Sequence, residues 1–233
     1  MKRWIVLLSL GWGIFWVVFV LQFIQECYGV THTSNDQIIT ETAVTKISFP
    51  YRIRDTNMLV EGIGIYEGPY LEDGTNDPVA DVAALQLKNL SDSPLERGAV
   101  ILEIGGELYI FEAFAIPPGQ SAFVIESKKK AFTSEPITFC SGWAVEETWL
   151  DISQFATIEE YGIDTLMITN ISDDILPTLR VLYKSFDQKS GMYIGGICYE
   201  IELHQLEPGQ SISVKPYHYV SGYSKVVAIK HTQ

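Results

Sequence analysis

Leu85-Gln86-Leu87-Lys88-Asn89-Leu90-Ser91-Asp92 returns 81 positions later as Leu166-Met167-Ile168-Thr169-Asn170-Ile171-Ser172-Asp173. In both stretches an apolar run breaks at an Asn-x-Ser-Asp turn, where Asn and Asp side chains can bond their own backbone. Each copy continues through a second strand and a hairpin to a Pro-Gly turn, Pro118-Gly119-Gln120-Ser121 in the first and Pro208-Gly209-Gln210-Ser211 in the second. Self-similarity on this scale marks a repeated supersecondary unit, so two units of one fold are expected in sequence.

The copies differ in one place. Asn89 and Pro118 are 29 positions apart, whereas Asn170 and Pro208 are 38 apart. In the first copy Val100, Leu102 and Ile104 run into Gly105-Gly106, a two-residue hairpin turn, and return through Leu108 and Ile110. The second has a longer link, Ser185-Phe186-Asp187-Gln188-Lys189-Ser190-Gly191, where insertions are tolerated. Asn89-Leu90-Ser91 and Asn170-Ile171-Ser172 also match the glycosylation acceptor pattern, but their shared place in the repeat is explained by turn chemistry.

From Ile38 the chain consists of short runs rich in Ile, Val, Thr, Tyr and Phe, broken by Gly, Pro, Asn and Asp. This is strand-and-turn punctuation. Leu59, Ile63 and Ile65 alternate on one face, and no convincing long helix follows Ile24. The expected fold is all-β, two tandem immunoglobulin-like antiparallel β-sandwiches, at residues 38–145 and 146–233. Over Asn170–Ser211, the Asn-x-Ser turn, Leu182-Tyr183 and Pro208-Gly209-Gln210-Ser211 resemble the bacterial FxLYD-type extracytoplasmic domains, with a fainter echo in the first copy. Arg180 and Lys184 stand where that family carries Phe and Asp. The resemblance implies a sandwich on a bacterial cell envelope and supplies no catalytic residues.

Trp4–Ile24, WIVLLSLGWGIFWVVFVLQFI, is 21 residues without an ionisable side chain, about what a helix needs to cross the ~30 Å core of a bilayer. Lys2 and Arg3 precede it, which predicts a cytoplasmic N-terminus and export of the rest. Residues 1–29 are therefore expected to be a single-pass signal-anchor, followed by a stalk at 30–37. The alternative, a cleaved secretory signal, calls for a shorter apolar core and a small-residue cleavage site; Cys27-Tyr28-Gly29 is a poor match. Cleavage would make the protein secreted.

All 29 acidic residues follow Ile24, as do all but two of the 16 basic ones, leaving the exported part at −15. Nucleic acid and anionic polymers would be repelled by it. Of three cysteines, Cys27 sits at the membrane edge, Cys140 between the expected domains and Cys198 in a strand. There Ile197, Tyr199, Ile201 and Leu203 read as the buried face, and Cys198, Glu200, Glu202 and His204 as the wet one. Cys198 is thus expected to be a surface thiol rather than the disulfide partner of Cys140.

Chemistry has few candidates. Asp73, Thr75 and Asp77 carry the spacing of the first three ligands of a calcium loop, but Ala84 stands where the closing Glu belongs. His32, His204, His218 and His231 form no ligand motif, no nucleophile elbow is present, and no pair of carboxylates is singled out. No cofactor and no enzyme activity are expected. Two aromatic stretches remain. Trp143 and Trp149 read as filling the seam between the domains or as a stacking platform. Tyr217, His218, Tyr219 and Tyr223 form a loop suited to a protein partner or a sugar. The expected function is a non-catalytic, membrane-anchored envelope protein that presents its sandwiches to another envelope protein or to itself. The alternative is a carbohydrate- or peptidoglycan-binding module using the Tyr217–Tyr223 loop.

Overall fold

Period-two burial runs through the strands of the computed structural model, which describes residues 46–146 and 154–232. The expected anchor, stalk and Trp149 lie outside these residues. The first copy contributes β1 (Tyr51–Arg52), β2 (Met58–Pro69), β3 (Pro78–Asn89), β4 (Leu95–Ile104), β5 (Glu107–Ile116), β6 (Ser121–Ile125) and β7 (Ile137–Glu146). The second contributes β8 (Ala156–Glu160), β9 (Leu166–Asn170), β10 (Leu176–Asp187), β11 (Met192–Leu206), β12 (Ser211–Val214) and β13 (Ser224–Thr232). Among the described residues no helix is long and apolar enough to cross a membrane.

The repeat seen in the sequence is a repeat of strand pairings. In the first copy β3 pairs with β2 and β6, and β4 with β5 and β7. In the second, β9 pairs with β8 and β12, and β10 with β11 and β13. All eight pairings are antiparallel. Val60, Leu85, Leu87, Val100, Leu102 and Phe111 are central to one apolar core, and Leu166, Ile168, Leu179, Val181 and Ile229 to another.

The two Asn-x-Ser turns are built alike. The Nδ2 of buried Asn89 donates to the carbonyls of Ser93 (2.9 Å) and Ile116 (3.1 Å), and its Oδ1 accepts from the Ser91 amide. Asn170 does the same with Asp174 (2.8 Å), Leu206 (2.9 Å) and Ser172. Each Asn amide also donates to the Gln carbonyl of its Pro-Gly turn, Gln120 or Gln210, at 3.0 Å. One residue, through its side chain and its backbone amide, thereby joins the end of a strand to the turn that launches another, which is why these motifs recur together.

The copies do not end where their sequences do. Strands from both form one seven-stranded sheet, ordered β1-β2-β3-β6-β11-β10-β13, beside the two three-stranded sheets β5-β4-β7 and β12-β9-β8. Its join is a short parallel pairing of β6 with β11, Ala122 opposite Tyr193 and Phe123 opposite Ile194. The extra residues of the second copy make this reach possible. The link expected from Ser185 to Gly191 is cut to a four-residue turn, residues 188–191, because β10 runs on to Asp187 and β11 begins at Met192. Phe186 and Tyr193 face each other with ring centroids 5.3 Å apart, and both belong to the core of the first copy. Burying two such rings favours strand over loop by a few kcal/mol, at about 2 kcal/mol per ring.

The wet face expected on β11 holds at Glu200, Glu202 and His204, which are exposed. Cys198 departs from it. This thiol packs against the cluster of Ala115, Leu182 and Ala228, because β5 of the first copy lies over that end of β11. Cys140 and Cys198 are both free thiols.

Candidate functional site

The loop between β12 and β13 is held in a definite shape from within. The amides of Tyr219 and Tyr223 bond the carbonyls of Pro216 (3.3 Å) and Val220 (2.9 Å). The Ser224 hydroxyl accepts from the Val220 amide at 3.1 Å. Tyr219 is buried, and its phenol donates to Glu160 Oε1 at 2.5 Å. Its ring meets Tyr183 edge-on, 5.6 Å between centroids. Tyr219 therefore builds the loop rather than presenting itself to a ligand. Burial, with Glu160 as hydrogen-bond partner, pushes its phenol well above the ordinary tyrosine value.

Around this buried post the loop displays its other aromatics. Tyr217 is 82% exposed and Tyr223 72%. The Ser221 amide donates to the Ile163 carbonyl at 2.8 Å, which brings in the β8–β9 turn, where Tyr161 is 70% and Ile163 76% exposed. Exposed Val220 adds to the same surface. Sequence reasoning missed Tyr161 and Ile163. Their one signal is Tyr161-Gly162-Ile163, two bulky apolar residues flanking a turn glycine, and nothing local says that this turn meets the tyrosine loop.

The polar side chains around the shelf are engaged. Glu160 accepts from Tyr219 and Ser221, bonds that hold its carboxyl below the usual range, the Ser221 bond foremost. Asp164 is paired with Lys215 at 3.1 Å and accepts from the Thr165 hydroxyl. His218 Nδ1 lies 2.8 Å from Asn76 Nδ2 in the β2–β3 connection, within hydrogen-bond distance. The imidazole also stacks on Tyr199 at 4.7 Å. These contacts hold His218 at a φ of 80°, a left-handed conformation that non-glycine residues adopt at a cost.

The other sequence candidates lie elsewhere. Asp73, Thr75 and Asp77 share a turn, in which Asp73 Oδ1 accepts from both the amide and the hydroxyl of Thr75 while Oδ2 pairs with Lys129 at 2.9 Å. These bonds hold the Asp73 carboxyl at about 2, with those from Thr75 largest. Among the described residues no group of three or more His, Cys, Asp or Glu converges as a metal site. Trp143 lies on β7 with the Arg97 guanidinium 5.9 Å from its ring, 37% exposed rather than filling a seam. With Phe139, Leu108 and Phe114 it gives the β5-β4-β7 sheet an outer surface rich in apolar residues. An open hollow of about 640 Å³ is lined by Arg52, Arg54, Asp55, Asn57 and Glu146. There Glu146 accepts from Asn57 (2.8 Å) and Ser91 (2.7 Å).

This end of the second copy presents an exposed, mostly apolar surface carried on two loops hydrogen-bonded to each other. Comparison with protein-family models, with curated proteins and with solved structures finds no match.

Proposed function

We propose that this chain is a non-catalytic, membrane-anchored extracytoplasmic protein that binds a protein partner through the shelf formed by Tyr161, Ile163, Tyr217, Val220 and Tyr223. The observation that carries the reading is the exposure of these bulky side chains together on two hydrogen-bonded loops. Exposed clusters of this kind mark interaction surfaces, and tyrosines offer large contact area at low entropic cost. The compartment rests on the Trp4–Ile24 stretch and its flanking Lys2 and Arg3.

Carbohydrate or peptidoglycan binding is the second reading, favoured by three exposed phenol rings that could stack on sugars. A sugar also needs free polar groups to orient it, and the nearby Glu160, Asp164 and His218 already have protein partners. A protein is the better fit on that ground.

The test is site-specific photo-crosslinking in the native host. A benzophenone amino acid replaces Tyr161, Tyr217 or Tyr223 in turn, with exposed Asp92 as control. A discrete heavier adduct at the three shelf positions and none at the control supports the proposal. No adduct at any shelf position, with a purified protein retained on peptidoglycan or a glycan array, selects the second reading.

A further inference from the structure

Two charged side chains cross between the copies in opposite directions. Lys184, on β10 of the second copy, is fully buried. Its ammonium donates to the Phe114 carbonyl on β5 of the first copy (2.9 Å) and to the carbonyls of Gly196 (2.9 Å) and Ile197 (2.5 Å) on β11. Three acceptors meet the three donors of an ammonium group. Glu72, in the β2–β3 connection of the first copy, reaches the other way. Its Oε1 accepts from the amides of Gly196 (2.7 Å) and Ile125 (3.0 Å), and its Oε2 from that of Ile197 (3.0 Å).

Gly196 and Ile197 are therefore gripped on both sides, their amides by a carboxylate from the first copy and their carbonyls by an ammonium from the second. No side chain fits at Gly196, because a Cβ there would lie 1.7 Å from the Glu112 carbonyl oxygen of β5. Beyond this point the hairpin delivers Phe186 and Tyr193 to the first core. Neither copy keeps this set alone. Without the second, Glu72 loses two of its three donors; without the first, Lys184 loses one acceptor and the cover that β5 provides. A charge left in that position is strongly destabilising.

We infer that the two repeats are one cooperative folding unit, with the extended β10–β11 hairpin as a clasp and Glu72 and Lys184 as its two locks. The repeats are thus not independent modules on a string, and the orientation of the tyrosine loop relative to the first copy is set by the clasp together with the His218–Asn76 contact. This inference stands apart from the identity of any partner.

The experiment is urea unfolding of the full chain in detergent micelles, read by pulsed hydrogen exchange and mass spectrometry. Peptides covering Val100–Ile104 and Leu166–Asn170 report the two cores separately. The wild type should show coincident midpoints for both, and two separate transitions would overturn the inference. Gly196→Ala and the double variant Glu72→Ala/Lys184→Met should split the transition, so that the opening constants of the two cores differ by about tenfold or more. Variants that keep a single, unshifted transition would also overturn it. Should these changes prevent folding, Phe186→Leu keeps the question open to measurement. It lies in the second copy's sequence, yet it should lower both midpoints equally; movement of one core alone would refute the clasp.

Discussion

Replacing Lys184 with methionine should change how stability depends on pH. Burial pushes the Lys184 ammonium down from 10.5 to about 8, against the pull of Glu72 and Cys198, the charged and titratable groups facing it. A group whose folded pKa lies below its unfolded value penalises the native state where it must carry the proton. Stability from this source therefore rises as pH climbs from about 8 towards 10.5 and is lost on the way down. Integrated between about pH 7.5 and 9.5, these two values give a rise of about 2 kcal/mol. Other groups work in the opposite direction. Burial raises the Cys140 thiol and the Tyr66, Tyr183 and Tyr199 phenols to about 12, and each takes stability away as pH passes its ordinary value. Lys184→Met retains these groups, so subtracting its profile leaves the lysine and the two groups coupled to it, Cys198 and Glu72. At neutral pH the substitution leaves three carbonyls without their donor and Glu72 without its facing ammonium, a loss of a few kcal/mol that the removal of a buried charge only partly offsets. The assay is urea unfolding of both proteins, full length in detergent, across that pH range. The wild-type minus variant difference should climb by about 2 kcal/mol; parallel profiles would refute the reading of Lys184 as a buried ammonium.

Asn89→Ala and Asn170→Ala should each cost about 2–4 kcal/mol in chemical denaturation, since each strands two carbonyls and an amide at a buried turn. Similar losses from both would confirm that the repeat is one solution used twice. Tyr217→Ala and Tyr223→Ala should leave stability within about 0.5 kcal/mol of wild type while abolishing capture of the partner found by crosslinking. A large drop in melting temperature would mean that the shelf is structural. Glu160 is held below the ordinary carboxylate range, so its contribution is present above that range and fades as pH falls through the lowered value. Thermal melts between about pH 3 and 6 should show a shallower acid limb in Glu160→Gln.

The class of fold was legible because strand signals are local. Period-two alternation and Gly, Pro and Asn punctuation act over a few residues; the Asn-x-Ser motif carries its hydrogen-bond chemistry in its own side chains, and Pro-Gly sets a turn through its backbone conformation. Asn89 and Asn170 could thus be read as turn residues, and each proved to hold a turn and a neighbouring strand together. Exposure is not local. Tyr217, Tyr219 and Tyr223 look alike in sequence, yet one is buried because Glu160 and Tyr183 wait beneath it, while Tyr161 and Ile163 join the shelf only because a distant turn folds against the loop. Lys184 is the sharpest case. In a strand it could have been any solvated lysine, and only the approach of β5 makes it a buried ammonium.

The amino-acid sequence by itself determined that the chain after its apolar N-terminal stretch would form paired strands in two matching sets, since backbone conformation follows from short-range sterics and side-chain hydrogen bonding. Only the tertiary structure decided that the sets share a sheet and which aromatics face solvent. Those outcomes depend on groups more than a hundred positions apart, such as Glu72 and Gly196, meeting in space, and no pattern within either stretch encodes the other's arrival.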